Sequence, residues 1–164
     1  MVTIMVAKIH KNNIYRKYIL DEMSKNKEYD ISDLGHFIKS LNDTQAKQLC
    51  KYLSSYRRNR TYEFISKGPD AWKVSHIDIS DIYVREVNLE VNSYLEKNDW
   101  SLRKIAKDVN VHQLDEFKNQ GPINTKILSF IAKRTGHEYR IVDGMHRIIR
   151  SACDGKKEFK LIYY

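Results

Sequence analysis

Tyr139-Arg-Ile-Val-Asp-Gly-Met-His-Arg-Ile-Ile-Arg-Ser-Ala-Cys-Asp-Gly155, followed by Phe159-Lys-Leu-Ile-Tyr-Tyr164, reads as strand, tight turn, helix and strand. Met145, Ile148, Ile149 and Ala152 recur at helical spacing and define the buried stripe of that helix, so Met145 reads as a core residue. His146 and Arg150 face elsewhere, one turn apart, and Arg147 and Ser151 form a neighbouring pair. Asp154-Gly155 closes the helix with glycine at the expected C-terminal position. The turn itself is Asp143-Gly-Met-His-Arg147. Gly144 permits a positive φ that is closed to most side chains. The helix then begins with N–H groups directed at the turn, where unpaired donors and the helix dipole favour an anion. His146 and Arg147 add side-chain donors, and arginine offers a planar fork that matches phosphate. The expectation is a phosphate-gripping loop. Gly144 and the backbone of Met145 and His146 cradle the anion, and Arg147, His146 and Ser151 complete it.

Working upstream, Arg134-Thr-Gly-His137 is a hairpin turn. It joins Tyr139–Val142 to a strand over Pro122–Ala132, which is rich in β-branched residues. Ala71–Val84 alternates as one strand, with Val74, Ile77, Ile79 and Ile82 as its apolar content. Glu90–Lys97 reads as a short helix. Asp99 or Ser101 caps the next, which carries Leu102, Ile105, Ala106 and Val109. Ser101–Val111 is also similar to the first helix and turn of a helix-turn-helix, with Ala106 at the close contact and Asn110 at the left-handed position. The second helix of such a motif fails over His112–Asn119. Glu116 and Asn119 fall where apolar residues belong, Leu114 and Phe117 are out of register, and Asp115-Glu116 repels DNA. Two packed helices between strands are the better reading.

The first third of the chain reads as helical. Ile14, Tyr15, Tyr18, Ile19, Glu22 and Met23 lie at helical spacing. Asp30 and Asp33 are N-cap candidates for a helix through Leu41. Asn42-Asp-Thr44 opens a third, for which Gln45 or Gln48 offers a reciprocal cap. That helix ends in Tyr56-Arg-Arg-Asn-Arg-Thr-Tyr62, the most basic cluster of the chain. Cations suit a helix C-terminus. Basic residues interleaved with tyrosine also suit a nucleic-acid strand, with Arg57, Arg58 and Arg60 as contacts. Gly68-Pro69 breaks the chain. It divides a helical region, 1–68, from a domain over 69–164, and the expected fold class is α+β, a small mixed sheet with packed helices.

At 164 residues, 41 % hydrophobic and 30 % charged, the composition is that of a globular domain able to bury a core. No apolar run approaches the roughly 20 residues that span a bilayer. Met1–Ala7 reads as a short strand or packing segment and not as a signal peptide. Cys50 and Cys153 stand in unrelated contexts, as free thiols do in a reducing, cytoplasmic compartment. No histidine has zinc-ligand spacing, and no metal site is expected from the spacing. The net charge is +8. Residues 1–70 hold 13 basic against 8 acidic side chains and residues 71–164 hold 16 against 13, so the excess is heavier in the first part. This balance favours polyanionic partners: nucleic acid, nucleotides or another phosphorylated ligand. With no long apolar run, no membrane partner is expected.

Asp143-Gly-Met-His-Arg147 resembles the signature of the ParB/sulfiredoxin superfamily, whose Asp-Gly-x-His-Arg or Gly-x-x-Arg turn precedes a helix and binds nucleotide phosphates. Gly121-Pro-Ile123 resembles the Gly-x-x-Gln-Pro-Ile stretch that leads into the preceding strand of ParB N-terminal domains, and His76–Arg85 is similar to the first strand and the arginine after it. The resemblance covers roughly residues 72–164. Sulfiredoxin has a catalytic Cys where Met145 stands, so sulfinic acid reduction is not expected. ParB proper carries an acidic-Arg-Arg turn, binds CTP and continues into a helical DNA-binding domain; here the turn holds His146 and the sequence closes at Tyr164. The turn is closer to the free serine kinase branch and to "ParB-like nuclease" proteins. The resemblance implies an ATPase or small-molecule kinase that uses ATP or another nucleotide with Mg²⁺. Glu86 is the nearest candidate for the kinase branch's base, and Asp143 or Glu86 would hold Mg²⁺ or orient the nucleophile. The alternative is a non-catalytic DNA-binding regulator that works through the basic N-terminal helices. A nuclease ranks lower, because no paired carboxylates stand with a histidine in a metal-nuclease arrangement.

Overall fold

The structure, a computed structural model, describes residues 6–85, 96–110, 114 and 129–164. The helix expected over Glu90–Lys97 (apart from its last two residues), the second helix-turn-helix segment apart from Leu114, and Gly121–Ile123 lie outside them. So does most of the strand expected over Pro122–Ala132. The chain forms two units, Lys8–Trp72 and Lys73–Tyr164, the latter with the residues up to Ala7. The fold class is α+β: N-terminal helices, then a mixed sheet of six strands with helices.

In the N-terminal unit, a strand Ala7–His10 (β1) leads into α1, Lys11–Met23, where His10 accepts the N–H of Asn12. Asp30 caps α2, Ile31–Ser40, by accepting the N–H of Asp33. Asn42 and Gln45 form the reciprocal box at the start of α3, Asp43–Tyr56. These short-range signals act as their chemistry dictates. Ile14, Tyr15, Tyr18 and Ile19 are buried on one stripe of α1, which packs against α2, α3 and α4 (Thr61–Lys67). Met23, expected to extend that stripe, is only half-buried, and it is Glu22 that goes under. The Glu22 carboxylate is held by Lys25 at 2.8 Å and Arg57 at 3.0 Å.

Helix α4 was not expected. Tyr56–Tyr62 is a corner between two helices and not one helix end. Arg58 turns it with φ 55°. Asn59 fastens it: its side-chain oxygen accepts the Thr61 N–H and the Ser54 hydroxyl, and its amide donates to the Tyr18 hydroxyl. Arg57 thus caps the C-terminus of α3, where a cation is favoured, whereas Arg60 sits at the N-terminus of α4, where it is not.

Tyr15, stacked on Tyr62 at 5.7 Å, is pushed up to about 12 by its burial, with the neighbouring Tyr62 and Cys50 adding to the effect. Its unfolded counterpart ionises near 10. The contribution of the neutral phenol is therefore complete below pH 10 and is lost as pH rises toward 12. Tyr15→Phe, which cannot ionise, should flatten the fall in urea midpoint between pH 10 and 12 relative to the native chain. An identical fall in both would contradict this assignment.

In the C-terminal unit the expected single strand over Ala71–Val84 is broken in two. β2, Ala71–Asp78, ends where the Asp78 carboxylate accepts both the N–H and the hydroxyl of Ser80. Those bonds hold its carboxyl below the usual range and fix a 3₁₀ turn over Ile79–Asp81 before β3, Ile82–Tyr83. Ser101 caps α5, Leu102–Asp108, after the left-handed pair Asp99 and Trp100. A hairpin follows, β4 (Phe130–Thr135) and β5 (Glu138–Asp143), then α6 (Met145–Cys153) and β6 (Glu158–Tyr163). The strand order is β1-β2-β6-β4-β5-β3. β4 runs parallel to β6, β3 parallel to β5, and the other two described pairs, β2–β6 and β4–β5, are antiparallel.

The core of this unit joins Ile148 and Ile149 of α6 and Leu102 and Ile105 of α5 to Phe130, Ile141, Phe159 and Leu161 of the sheet. β6 alternates over its first half, with Phe159 inward and Lys160 outward, and is buried on both faces from Leu161 to Tyr163. Among the described residues no helix is long and apolar enough to cross a membrane, and Cys50 and Cys153 are not joined in a disulfide.

Candidate functional site

Three backbone features meet at the end of β5. The first is Gly144, at φ 90° and ψ 27°, the N-cap of α6. Its conformation is the left-handed one that the sequence called for. A second reason for glycine is tertiary. A Cβ placed there would stand 2.7 Å from a ring carbon of Phe130 and 3.1 Å from a guanidinium nitrogen of Arg147. The position is closed to side chains on both counts.

The second feature is the start of α6. Its first intrahelical bond runs from the Ile148 N–H to the Gly144 carbonyl at 3.0 Å. The N–H groups of Met145, His146 and Arg147 lie ahead of that bond, at the positive end of the dipole.

The third is a β-bulge. Ile131 pairs with Asp143 and Ala132 with Ile141, which leaves Val142 as the extra residue on β5. A bulge interrupts the ladder and bends the strand locally. The Val142 carbonyl accepts a hydrogen bond from Arg85 at 2.8 Å. Arg85 stands two residues beyond β3, which runs parallel to β5. The carboxyl ends of two parallel strands thus bring Arg85, Asp143 and the start of α6 together. Ligands of open α/β sheets bind beyond strand ends of this kind.

The side chains sort themselves around this framework. Met145 is buried in the core at 8 % exposure, so only its backbone belongs to the loop. Asp143, His146 and Arg147 are half-buried. The Arg147 guanidinium lies 5.5 Å from the centre of the Phe130 ring, a cation–π distance, folded back over Gly144. Ser151 departs from expectation. It is buried at 7 % exposure and does not share an outward face with Arg147. It also lies six residues along the helix from Met145, about 9 Å by helical rise, beyond reach of an anion at the helix start. Glu86 lies outside the described residues. Arg57, Arg58 and Arg60 belong to the N-terminal unit, where Arg57 is partly committed to Glu22.

Two residues of the site carried little sequence signal. Arg85 figured only as the arginine after a strand. Phe130 gave no functional signal, because its part is to fill the space under a glycine fourteen residues away. Among the described residues, Arg85, His146 and Arg147 stand at this strand end together with Asp143. The guanidinium forks are groups that can accept an anion such as phosphate. Among the described residues no group of three or more His, Cys, Asp or Glu side chains is placed to hold a metal ion. Comparison of the chain with protein-family models, with curated proteins and with solved structures finds no match.

Proposed function

We propose that the Asp143–Arg147 loop holds the phosphates of a nucleotide, and that the protein is an ATPase or small-molecule kinase of the ParB/sulfiredoxin type. The observation that carries this reading is Gly144, a left-handed helix cap on which any side chain would collide with Phe130 and Arg147. Bare backbone at a helix N-terminus is what lets phosphate oxygens approach the chain.

In this reading Arg147 presents its fork to the phosphate while its guanidinium stays within cation–π distance of the Phe130 ring, 5.5 Å from its centre. Arg85 keeps the bulged strand in place through Val142 and adds positive potential. His146 donates to a phosphate oxygen or takes a proton from the acceptor hydroxyl. Asp143, with Glu86 after the Arg85 strand end, would provide the carboxylates that a nucleotide-bound Mg²⁺ needs; that ion is held mostly by phosphate and water, with one or two protein carboxylates. The metal would supply charge neutralisation between the phosphates. The residues act by positioning and by charge stabilisation, the main work of catalysis in phosphoryl transfer.

The division of roles makes a kinetic prediction. Asp143→Asn combined with Glu86→Gln should abolish nucleotide turnover, measured as phosphate or ADP release, yet leave nucleotide binding within a few-fold of the native chain. Full turnover in the double variant would remove both residues from the mechanism.

A further inference from the structure

We propose that the outer face of α3 is a binding surface for single-stranded nucleic acid, centred on Tyr52 and Tyr56; this inference does not depend on the nucleotide site. The core side of α3 is satisfied by Ala46, Cys50 and Ser54, all buried. Tyr52 and Tyr56 point away from it and are 65 % and 70 % exposed, the most exposed large apolar side chains among the described residues. They stand one turn apart, their rings 6.4 Å between centroids and 18° from parallel. Two near-parallel aromatic planes held open to water are what unpaired bases stack on, whatever their sequence.

The charge along this stretch of the chain is of one sign, with the Glu22 carboxylate of α1 paired to Arg57 at 3.0 Å. Residues 44–60 contain Lys47, Lys51, Arg57, Arg58 and Arg60 and no Asp or Glu. Lys47, Lys51, Arg57 and Arg58 are exposed. The Arg57 guanidinium lies 5.9 Å from the centre of the Tyr56 ring, which ties the cations to the aromatic platform. The acids that flank this stretch, Asp43 and Glu63, are engaged by Arg16 and Lys67. A polyanion with exposed base faces complements both properties at once. Duplex DNA complements only the charge, because its bases are already stacked on one another.

The test is fluorescence anisotropy with a labelled oligothymidine of about 15 nucleotides, within the span that such surfaces cover, and with a duplex of equal length. Single-strand binding should exceed duplex binding. It should weaken roughly 20- to 50-fold between about 50 and 200 mM salt, the slope for three or four neutralised phosphates. Tyr52→Ala with Tyr56→Ala should weaken it by about tenfold or more, with the melting temperature little changed, because both rings are exposed. Tyr52→Phe with Tyr56→Phe should restore it. The proposal is overturned if the native chain does not bind the oligonucleotide, if duplex binds as well as single strand, or if the alanine pair binds like the native chain. The alanine pair should bind free nucleotides as the native chain does, so loss of this surface and loss of the α6 loop are distinguishable.

Discussion

Gly144→Ala is expected to lower the stability of the C-terminal unit by about 2–5 kcal/mol. The figure joins two costs. An L-residue in the left-handed region costs about 1–2 kcal/mol. Overpacking against a filled core costs about 1–3 kcal/mol, and here the methyl would arrive 2.7 Å from the Phe130 ring, whose place is fixed at 0 % exposure. The two costs can be separated. In a Phe130→Ala background the collision disappears and only the conformational cost of Gly144→Ala remains, so the two substitutions should show a coupling of about 1–3 kcal/mol in urea denaturation. Additive effects would mean that Phe130 does not constrain the loop.

Phe130→Ala alone is expected to cost about 3–5 kcal/mol, the range for truncating a buried aromatic. Phe130 is fully buried and meets Phe159 edge-on at 6.0 Å and 72°. Its loss would open a cavity beneath β4 and β6 and would also remove the surface on which the Arg147 guanidinium lies. Stability and anion affinity should therefore fall together. Phe130→Leu, which keeps much of the volume but not the ring, should recover most of the stability and less of the affinity. A midpoint shift below about 1 kcal/mol for Phe130→Ala would place it outside the load of the core.

These expectations rest on features that differ in how far the sequence could show them. Caps and stripes are decided within one or two turns, so the Met145–Ala152 stripe was legible, and Asp30, Gln45 and Ser101 each stood among the cap candidates, beside Asp33, Gln48 and Asp99. So was the positive φ of Gly144, since only glycine takes it freely. The helix α4 was hidden because seven residues give too little periodicity, and because its start depends on Asn59 reaching Ser54 and Tyr18. The break between β2 and β3 was hidden by Ile77, Ile79 and Ile82, which continue an apolar pattern across a turn made by Asp78 and Ser80. The bulge at Val142 and the ring under Gly144 are relations between strands, and no local spacing encodes them. Ser151 was misplaced because a small hydroxyl beside the apolar stripe fits inside as readily as outside.

The central claim, that the loop between β5 and α6 binds nucleotide phosphate, is tested most directly by calorimetric titration of ATP, ADP, CTP and GTP with Mg²⁺ into the native protein and Arg147→Ala. Micromolar binding of at least one nucleotide is expected. It should weaken about 10- to 100-fold in the variant, the equivalent of one lost charge-assisted contact at about 1.5–3 kcal/mol. Absence of heat with all four nucleotides, or equal affinity in a folded Arg147→Ala, would contradict the assignment.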